Sequence, residues 1–418
     1  MNNKETVDKK IQKYQYKLKK STDPEKNKIY SEKIDFYMKG YGNNISELIL
    51  APPDKLNNKN VKLYEDTGKI IAYGYGVMEK YKNLEPVLFE RRQPWPSDIV
   101  IEIIYCGVCH SDWHYIVGEW LADYPLVPGH EICGKIIKLG SSVKNFKVGD
   151  NVLVGTYVNS CKKCDMCKAG KQQYCVNDVS WTYNSRDRMP NSLIPNGELT
   201  YGGYSNIITV NKNYVFKCPP NLPIETLGPL LCAGITTYSP LKEANIGPGK
   251  IVGIAGIGGL GHIAVKLARA MGAHVIAFTT SEWKVKDSKR LGANDSVLMS
   301  NTDKFRKYHG KLDLLIDTIP KIHDFNNYLK LINVSGTYCI LGYFGDINLD
   351  TNILATPGRY IKSSITGGIP TTDDLLNFCM SNKIYPEVEI INLNNVNDTY
   401  QKIIDKKVKY RFVLDMKN

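Results

Sequence analysis

Lys250-Ile-Val-Gly-Ile-Ala255 followed by Gly256-Ile257-Gly258-Gly259-Leu260-Gly261 and then His262 to Met271 is the stretch on which the fold turns. Six residues that are almost all apolar predict a buried strand. The hexapeptide fits G-x-G-x-x-G, and the segment behind it places Leu260, Ala264, Leu267, Ala268 and Met271 on one helical stripe. A glycine hexapeptide alone is a weak signal. Between a strand and a helix it has the setting that dinucleotide binding requires. Gly256 permits the tight turn, Gly258 lets backbone amides approach a diphosphate, and Gly261 allows helix and strand to pack closely. The start of the helix then offers free N–H groups to that anion. Gly272 closes the helix and Ala273 to Phe278 reads as the next strand. Leu312 to Ile316 and Gly336 to Leu341 extend the alternation, which predicts a doubly wound parallel sheet of the Rossmann kind.

Beyond the second strand a dinucleotide site specific for NAD usually carries an acid for the ribose hydroxyls. Here the chain reads Thr279-Thr280-Ser281-Glu282, with Lys284 two positions later. Hydroxyls and a cation suit a 2′-phosphate, hence NADP(H). Glu282 weighs the other way, and Ser281 could simply cap the following helix.

Upstream, from about residue 68 to 220, short β-like runs such as Ile99 to Tyr105, Ile132 to Leu139 and Asn151 to Val154 are split by Gly, Pro and Asn, predicting a mostly β domain. Two groups of metal-ligating residues lie in and just after this region. Cys161, Cys164, Cys167 and Cys175 bring four thiols within fifteen residues, the donor set of a closed structural zinc site. The second group is dispersed over Cys106-Gly-Val-Cys109-His110-Ser111-Asp112, Gly129-His130-Glu131 and Leu231-Cys232. One cysteine, a histidine and a later cysteine make three ligands and leave a fourth position open, as catalytic zinc requires. Spacing does not choose between Cys106 and Cys109.

The chain has 418 residues and is 43% hydrophobic, enough for two to four domains. Its formal net charge of +12 comes mostly from scattered lysines without interleaved aromatics, which argues against a nucleic-acid surface. No run approaches the ~20 apolar residues of a membrane span. Met1 to Lys20 contains Glu5 and Asp8 and has neither a secretion signal's apolar core nor a transit peptide's arginines, so cytoplasmic residence is the expectation. Eleven unevenly spaced cysteines in such a chain point to metal rather than disulfides. Residues 1–40 hold eleven Lys against six Asp or Glu. Thr22-Asp23-Pro24-Glu25 could start the second arm of a helical hairpin that stops at Gly40, with a linker from Ala51 to Lys59; a solvated tail is the alternative.

From about Lys69 to Asp415 the chain resembles the zinc-containing medium-chain alcohol dehydrogenases, especially cinnamyl alcohol dehydrogenases and broad-range NADPH-dependent aldehyde reductases. The stretches that carry the likeness are Cys106 to Asp112, Pro125 to Glu131, the four-cysteine lobe, Leu230 to Leu241, Gly256 to His262 and Val408 to Asp415. The resemblance implies a GroES-like catalytic domain (about 68–229 and 366–418) around a Rossmann domain (230–365), behind an extension, 1–67, to which the family pattern assigns no part in the chemistry. It implies that Cys109, His130 and Cys232 hold catalytic zinc, with Glu131 an occasional ligand and Asp112 orienting His130. Ser111 and His114 would relay protons, while His110 and Thr236 would lie near the cofactor. Two zinc ions, NADP(H), a small aldehyde or alcohol as substrate and a homodimer complete the expectation. A polyol or secondary-alcohol dehydrogenase on the same scaffold, and a catalytically silent homologue acting as a binding protein, are the alternatives.

Overall fold

The computed structural model describes residues 22–24, 26–27, 49–50, 70–187, 197–342, 345–405 and 407–417. The chain divides into two compact units, Met1–Leu48 and Ile49–Asn418. In the first, Asp23 Oδ1 accepts from the Lys26 N–H at 3.3 Å. The remainder of the expected hairpin, with Gly40 and the linker from Ala51 to Lys59, lies outside the described residues.

In the second unit, six strands form one wholly parallel sheet. Their order is Asp295–Leu298, His274–Thr279, Ile251–Ala255, Leu312–Asp317, Ile332–Ile340 and Tyr360–Ser363. Numbered along the chain, this is 3-2-1-4-5-6, the doubly wound order expected from the strand–turn–helix pattern. Of the two central strands, Ile251–Ala255 is apolar throughout and Leu312–Asp317 is apolar except for Asp313 and Asp317, because helices cover both faces. On one face Ile263, Ala264, Leu267 and Ala268 of the helix Gly261–Ala270 join Tyr238 and Leu241 of Ala233–Glu243 and Leu375 and Cys379 of Ile369–Asn382. On the other face Phe278, Phe305, Phe325 and Tyr338 pack together. Asp295–Leu298 and Tyr360–Ser363 gave no sequence signal for a physical reason: they are the sheet's edges, and the second has no fully buried residue.

A second, mixed sheet of seven strands supports the metal-ligating residues. Its centre is the long strand Asp98–Gly107, paired with Ile132–Leu139 and Ile207–Asn211; Asn151–Val154 and Val215–Lys217 continue outward from Ile132–Leu139. The chain's last strands, Val388–Asn392 and Arg411–Asp415, return from the parallel sheet to join it, Arg411–Asp415 lying against Asp98–Gly107. Ile49–Leu50 adds an edge to Glu85–Arg91 in a smaller sheet. Among the described residues no helix is long and apolar enough to cross a membrane.

Candidate functional site

Asp98–Gly107 ends two residues before Cys109, where the chain turns into the helix His110–Ile116 with Cys109 as its N-cap. That break separates the two candidate cysteines. Cys106 stays in the strand, fully buried and close to the position a Cβ on Gly203 would occupy. Cys109 joins His130, Glu131 and Cys232, whose ligand atoms lie within 4.8 Å of one another. Cys109 Sγ and Cys232 Sγ are 3.7 Å apart, and His130 Nε2 is 3.2 Å from Cys232 Sγ. Two zinc–sulfur bonds at the tetrahedral angle span about 3.8 Å, so the set fits the ion.

Asp112 holds this set in place. Its fully buried carboxylate accepts from Cys109 N (3.0 Å), Gly129 N (3.2 Å), His130 Nδ1 (3.1 Å), Tyr183 OH (2.7 Å) and Tyr204 OH (3.1 Å). With its proton on Nδ1, His130 turns the Nε2 lone pair toward the thiols. Burial pushes the imidazole pKa down, but the charge and hydrogen bond of Asp112 outweigh it and hold it well above the usual range. Cys109 is pushed well below the ordinary thiol range, first by its bond from the Cys232 thiol and, against burial, by Arg411 and His130.

Glu131, fully buried, forms an ion pair with Arg411. Its Oε1 remains 4.0 Å from His130 Nε2. Gly107 makes room for it: a Cβ there would lie 2.0 Å from Glu131 Oε2. Arg411 was not legible as a site residue. It stands at the head of a strand some 280 residues downstream of Glu131 in the chain, inside the stretch from Val408 to Asp415 that carries the family likeness without attaching a role to it.

Cys161, Cys164, Cys167 and Cys175 form the second set, also within 4.8 Å of one another. Cys164 N and Asn177 Nδ2 donate to Cys161 Sγ at 3.3 and 3.4 Å, and Cys161 N donates to Cys175 Sγ at 3.4 Å. These donors stabilise thiolates; the Asn177 amide, first among them, brings Cys161 down to about 5. Gln172 Oε1 accepts from Ile369 N and fastens the lobe to the helix Ile369–Asn382.

Ser111 and His114 lie one turn apart on the helix that Cys109 caps. The His114 ring stacks on Trp120 (4.8 Å) and stands 4.8 Å from the His110 ring. Its Nδ1 bonds Glu119, whose side chain is 55% exposed and so opens the file to solvent. Glu119, five residues beyond His114, was a second unread member. Burial, then His114, lowers the pKa of His110. The rings of Trp113 and Trp181 pack on Tyr400 and Tyr157.

At the glycine turn, Gly256 has φ 82°, and a Cβ on Gly261 would meet the Gly256 carbonyl at 1.9 Å, so both positions demand glycine. A Cβ on Gly258 would meet nothing within 4 Å, leaving the open space a diphosphate needs. Gly259 lies directly under Arg411, whose Nη1 would be 2.8 Å from a Cβ there. Leu260 leads into the helix as its N-cap. Thr279 is buried, Thr280 exposed and Ser281 half-buried; Ser281 makes no side-chain cap bond to the helix Glu282–Arg290. Lys284 is half-buried with Nζ 5.2 Å from the Trp283 ring, and Glu282 is exposed. Thr236 is the one half-buried residue in the otherwise buried run from Ala233 to Leu241.

The chain matches two family models, the alcohol dehydrogenase GroES-like domain over residues 95–220 and the zinc-binding dehydrogenase domain over 259–381. It is 41% identical to a probable zinc-type alcohol dehydrogenase-like protein of Acanthamoeba polyphaga mimivirus, over 99% of both chains. The N-terminal segment thus has a counterpart there. An aldehyde reductase of Escherichia coli is 42% identical over 81% of this chain and 97% of its own. The structure of a cinnamyl alcohol dehydrogenase from Helicobacter pylori complexed with NADP(H) superposes with a TM-score of 0.78 at 38% identity, covering 84% of this chain and 99% of the other.

Metal analysis of the purified protein should return two zinc ions per chain. Cys109→Ser should lose one ion and all activity while remaining folded, Cys106→Ser should keep both, and Cys164→Ser should mainly lower the melting temperature. One ion or none in fully active protein would refute the two-site reading.

Proposed function

The chain belongs to the zinc-containing medium-chain alcohol dehydrogenases of the cinnamyl alcohol dehydrogenase type, and from that premise we propose how its residues divide the work of moving a hydride between NADP(H) and an aldehyde or primary alcohol. The observation that carries the reading is the open donor set of Cys109, His130 and Cys232 beside a glycine turn with room for a dinucleotide. Zinc held by those three residues supplies Lewis-acid polarisation of a carbonyl oxygen, and the dinucleotide supplies the hydride. Asp112 keeps His130 in the ligating tautomer. Ser111 gives its hydroxyl proton to the substrate oxygen during reduction. His114 passes the replacement inward, with Glu119 at the solvent end. In oxidation the same groups carry the proton outward. Arg411 balances the buried Glu131 and adds positive charge over the glycine turn. Cys161, Cys164, Cys167 and Cys175 hold the second, structural zinc. His110 and Thr236 flank the cofactor.

Preference for NADPH rests on Thr279, Thr280, Ser281 and Lys284 at the end of the second strand, where an acid directed at the ribose is missing and Glu282 is exposed. The E. coli relative's description as an aldehyde reductase and the Helicobacter complex with NADP(H) support the same direction. Cytoplasmic residence belongs to this reading and is supported by eleven unpaired thiols; cell fractionation tests it. A homodimer belongs to it too. The edge strand Tyr360–Ser363 is paired on one side only, with Tyr360 61% and Ile365 51% exposed, a strip that a second copy would cover. Sedimentation should show a species of twice the chain mass, and a monomer at micromolar concentration would contradict it.

Turnover of an aldehyde panel with each cofactor tests the central reading. The ratio kcat/KM should favour NADPH. Charged hydrogen bonds contribute roughly 1.5–3 kcal/mol, so Lys284→Ala should weaken NADPH by about 10- to 100-fold and leave NADH nearly unchanged. Ser111→Ala should lower kcat by about 10²–10⁴-fold, with a smaller loss for His114→Ala because water can replace the outer member. Equal use of NADH, or full turnover in Ser111→Ala, would reject the respective assignment.

A further inference from the structure

We propose that His262 and Tyr410 form a strut that sets the glycine turn and ties it to the helix carrying the 2′-phosphate pocket, making both of them positioning residues for the dinucleotide. His262 is the second residue of Gly261–Ala270 and is fully buried. Its Nε2 accepts from the Glu387 backbone N–H at 3.2 Å, so Nδ1 carries the ring proton and donates to the Gly258 carbonyl at 3.1 Å. The same carbonyl accepts from the His262 backbone N–H at 3.0 Å. Both of its lone pairs are therefore taken by one residue. This pins the second glycine where the turn is open and leaves the free N–H groups of the helix start to the diphosphate.

Tyr410 lies flat on the imidazole, with ring centroids 4.7 Å apart and planes 4° from parallel. Its hydroxyl donates to Asp287, which belongs to Glu282–Arg290, the helix that starts at Ser281 and carries Lys284 in its first turn. Arg290 bonds Asp287 at 2.6 Å and reaches Glu387 with both terminal nitrogens, at 2.7 and 2.8 Å. Lys409 lies 3.4 Å from Asp287, and Lys266 lies 3.4 Å from Glu387. The contacts close a ring of His262, Glu387, Arg290, Asp287 and Tyr410, and Gly258 hangs from it through His262. The two ends of the dinucleotide site thus share one frame. None of these residues is a proposed metal ligand or proton carrier.

The Tyr410 half rests on the NADPH reading above; the His262 half concerns the diphosphate, which NADH also has. Cofactor affinities from fluorescence titration, with kcat at saturating cofactor, should be measured on the full zinc-loaded chain. His262→Ala should weaken NADPH and NADH alike, by about 10-fold, with kcat nearly kept. His262→Asn, which keeps an N–H within reach of the Gly258 carbonyl, should recover part of the loss. Tyr410→Phe keeps the stack and loses only the Asp287 bond, so it should weaken NADPH by about 5-fold and leave NADH unchanged. Unaltered affinities in His262→Ala, or a loss in kcat alone, would overturn the strut. Equal losses for both cofactors in Tyr410→Phe would overturn the tie to the phosphate helix. Equal NADPH and NADH affinity in the unsubstituted protein would overturn the NADPH reading and the Tyr410 half with it, while the His262 variants would still decide the turn.

Discussion

A carboxylate sealed from water must be satisfied by donors, and Asp112 is satisfied by five of them drawn from four separate parts of the chain. The cost of burying an unpaired charge is what gives this cluster its rigidity. Each donor that leaves raises the cost of keeping the carboxylate buried. The helix start at Cys109, the turn at Gly129 and the ring of His130 are therefore fixed relative to one another before any metal arrives. Behind them Tyr204 and Tyr400 bond hydroxyl to hydroxyl at 2.9 Å, which carries the network to the C-terminal helix Val396–Ile404.

The second constraint is the buried pair of Glu131 and Arg411, which joins the candidate metal set to the glycine turn. Glu131 follows His130 of the candidate metal set directly, and Arg411 lies against Gly259 of the turn. Removing either partner alone would strand a buried charge, at a cost of about 3–5 kcal/mol. Because Arg411–Asp415 pairs with Asp98–Gly107, the last described strand lies beside a candidate site whose first proposed ligand, Cys109, follows that long strand.

What the sequence made legible follows the range of the interactions. The four-cysteine lobe is local, with every donor inside fifteen residues, and its spacing alone identified it. The glycine turn was equally plain, because strand, turn and helix are consecutive, and the structure gives Gly256 and Gly261 the conformational and steric reasons that the pattern calls for. Choosing between Cys106 and Cys109 was beyond spacing, since it depends on which residue ends the strand; the family likeness pointed to Cys109, and so does the geometry. Tyr183 and Tyr204 were invisible as site residues, and Arg411 and Tyr410, although inside the stretch from Val408 to Asp415 that carries the likeness, had no role attached to them. They reach their partners across long stretches of chain, and an isolated Tyr or Arg has no pattern to distinguish it from core or surface. The parallel sheet's edge strands escaped for the opposite reason: half-exposed strands lose the apolar run that marks central ones.

The claim on which the rest depends is that Asp112 organises the open metal set, and chelator competition on Asp112→Asn tests it most directly. An amide in that place offers one acceptor and presents a donor to groups that are themselves donors. The variant should surrender the ion at Cys109, His130 and Cys232 with an affinity lowered by about 10- to 100-fold, while the four-cysteine site stays loaded as an internal control. A variant that holds both ions against the chelator as firmly as the unsubstituted protein would contradict the account.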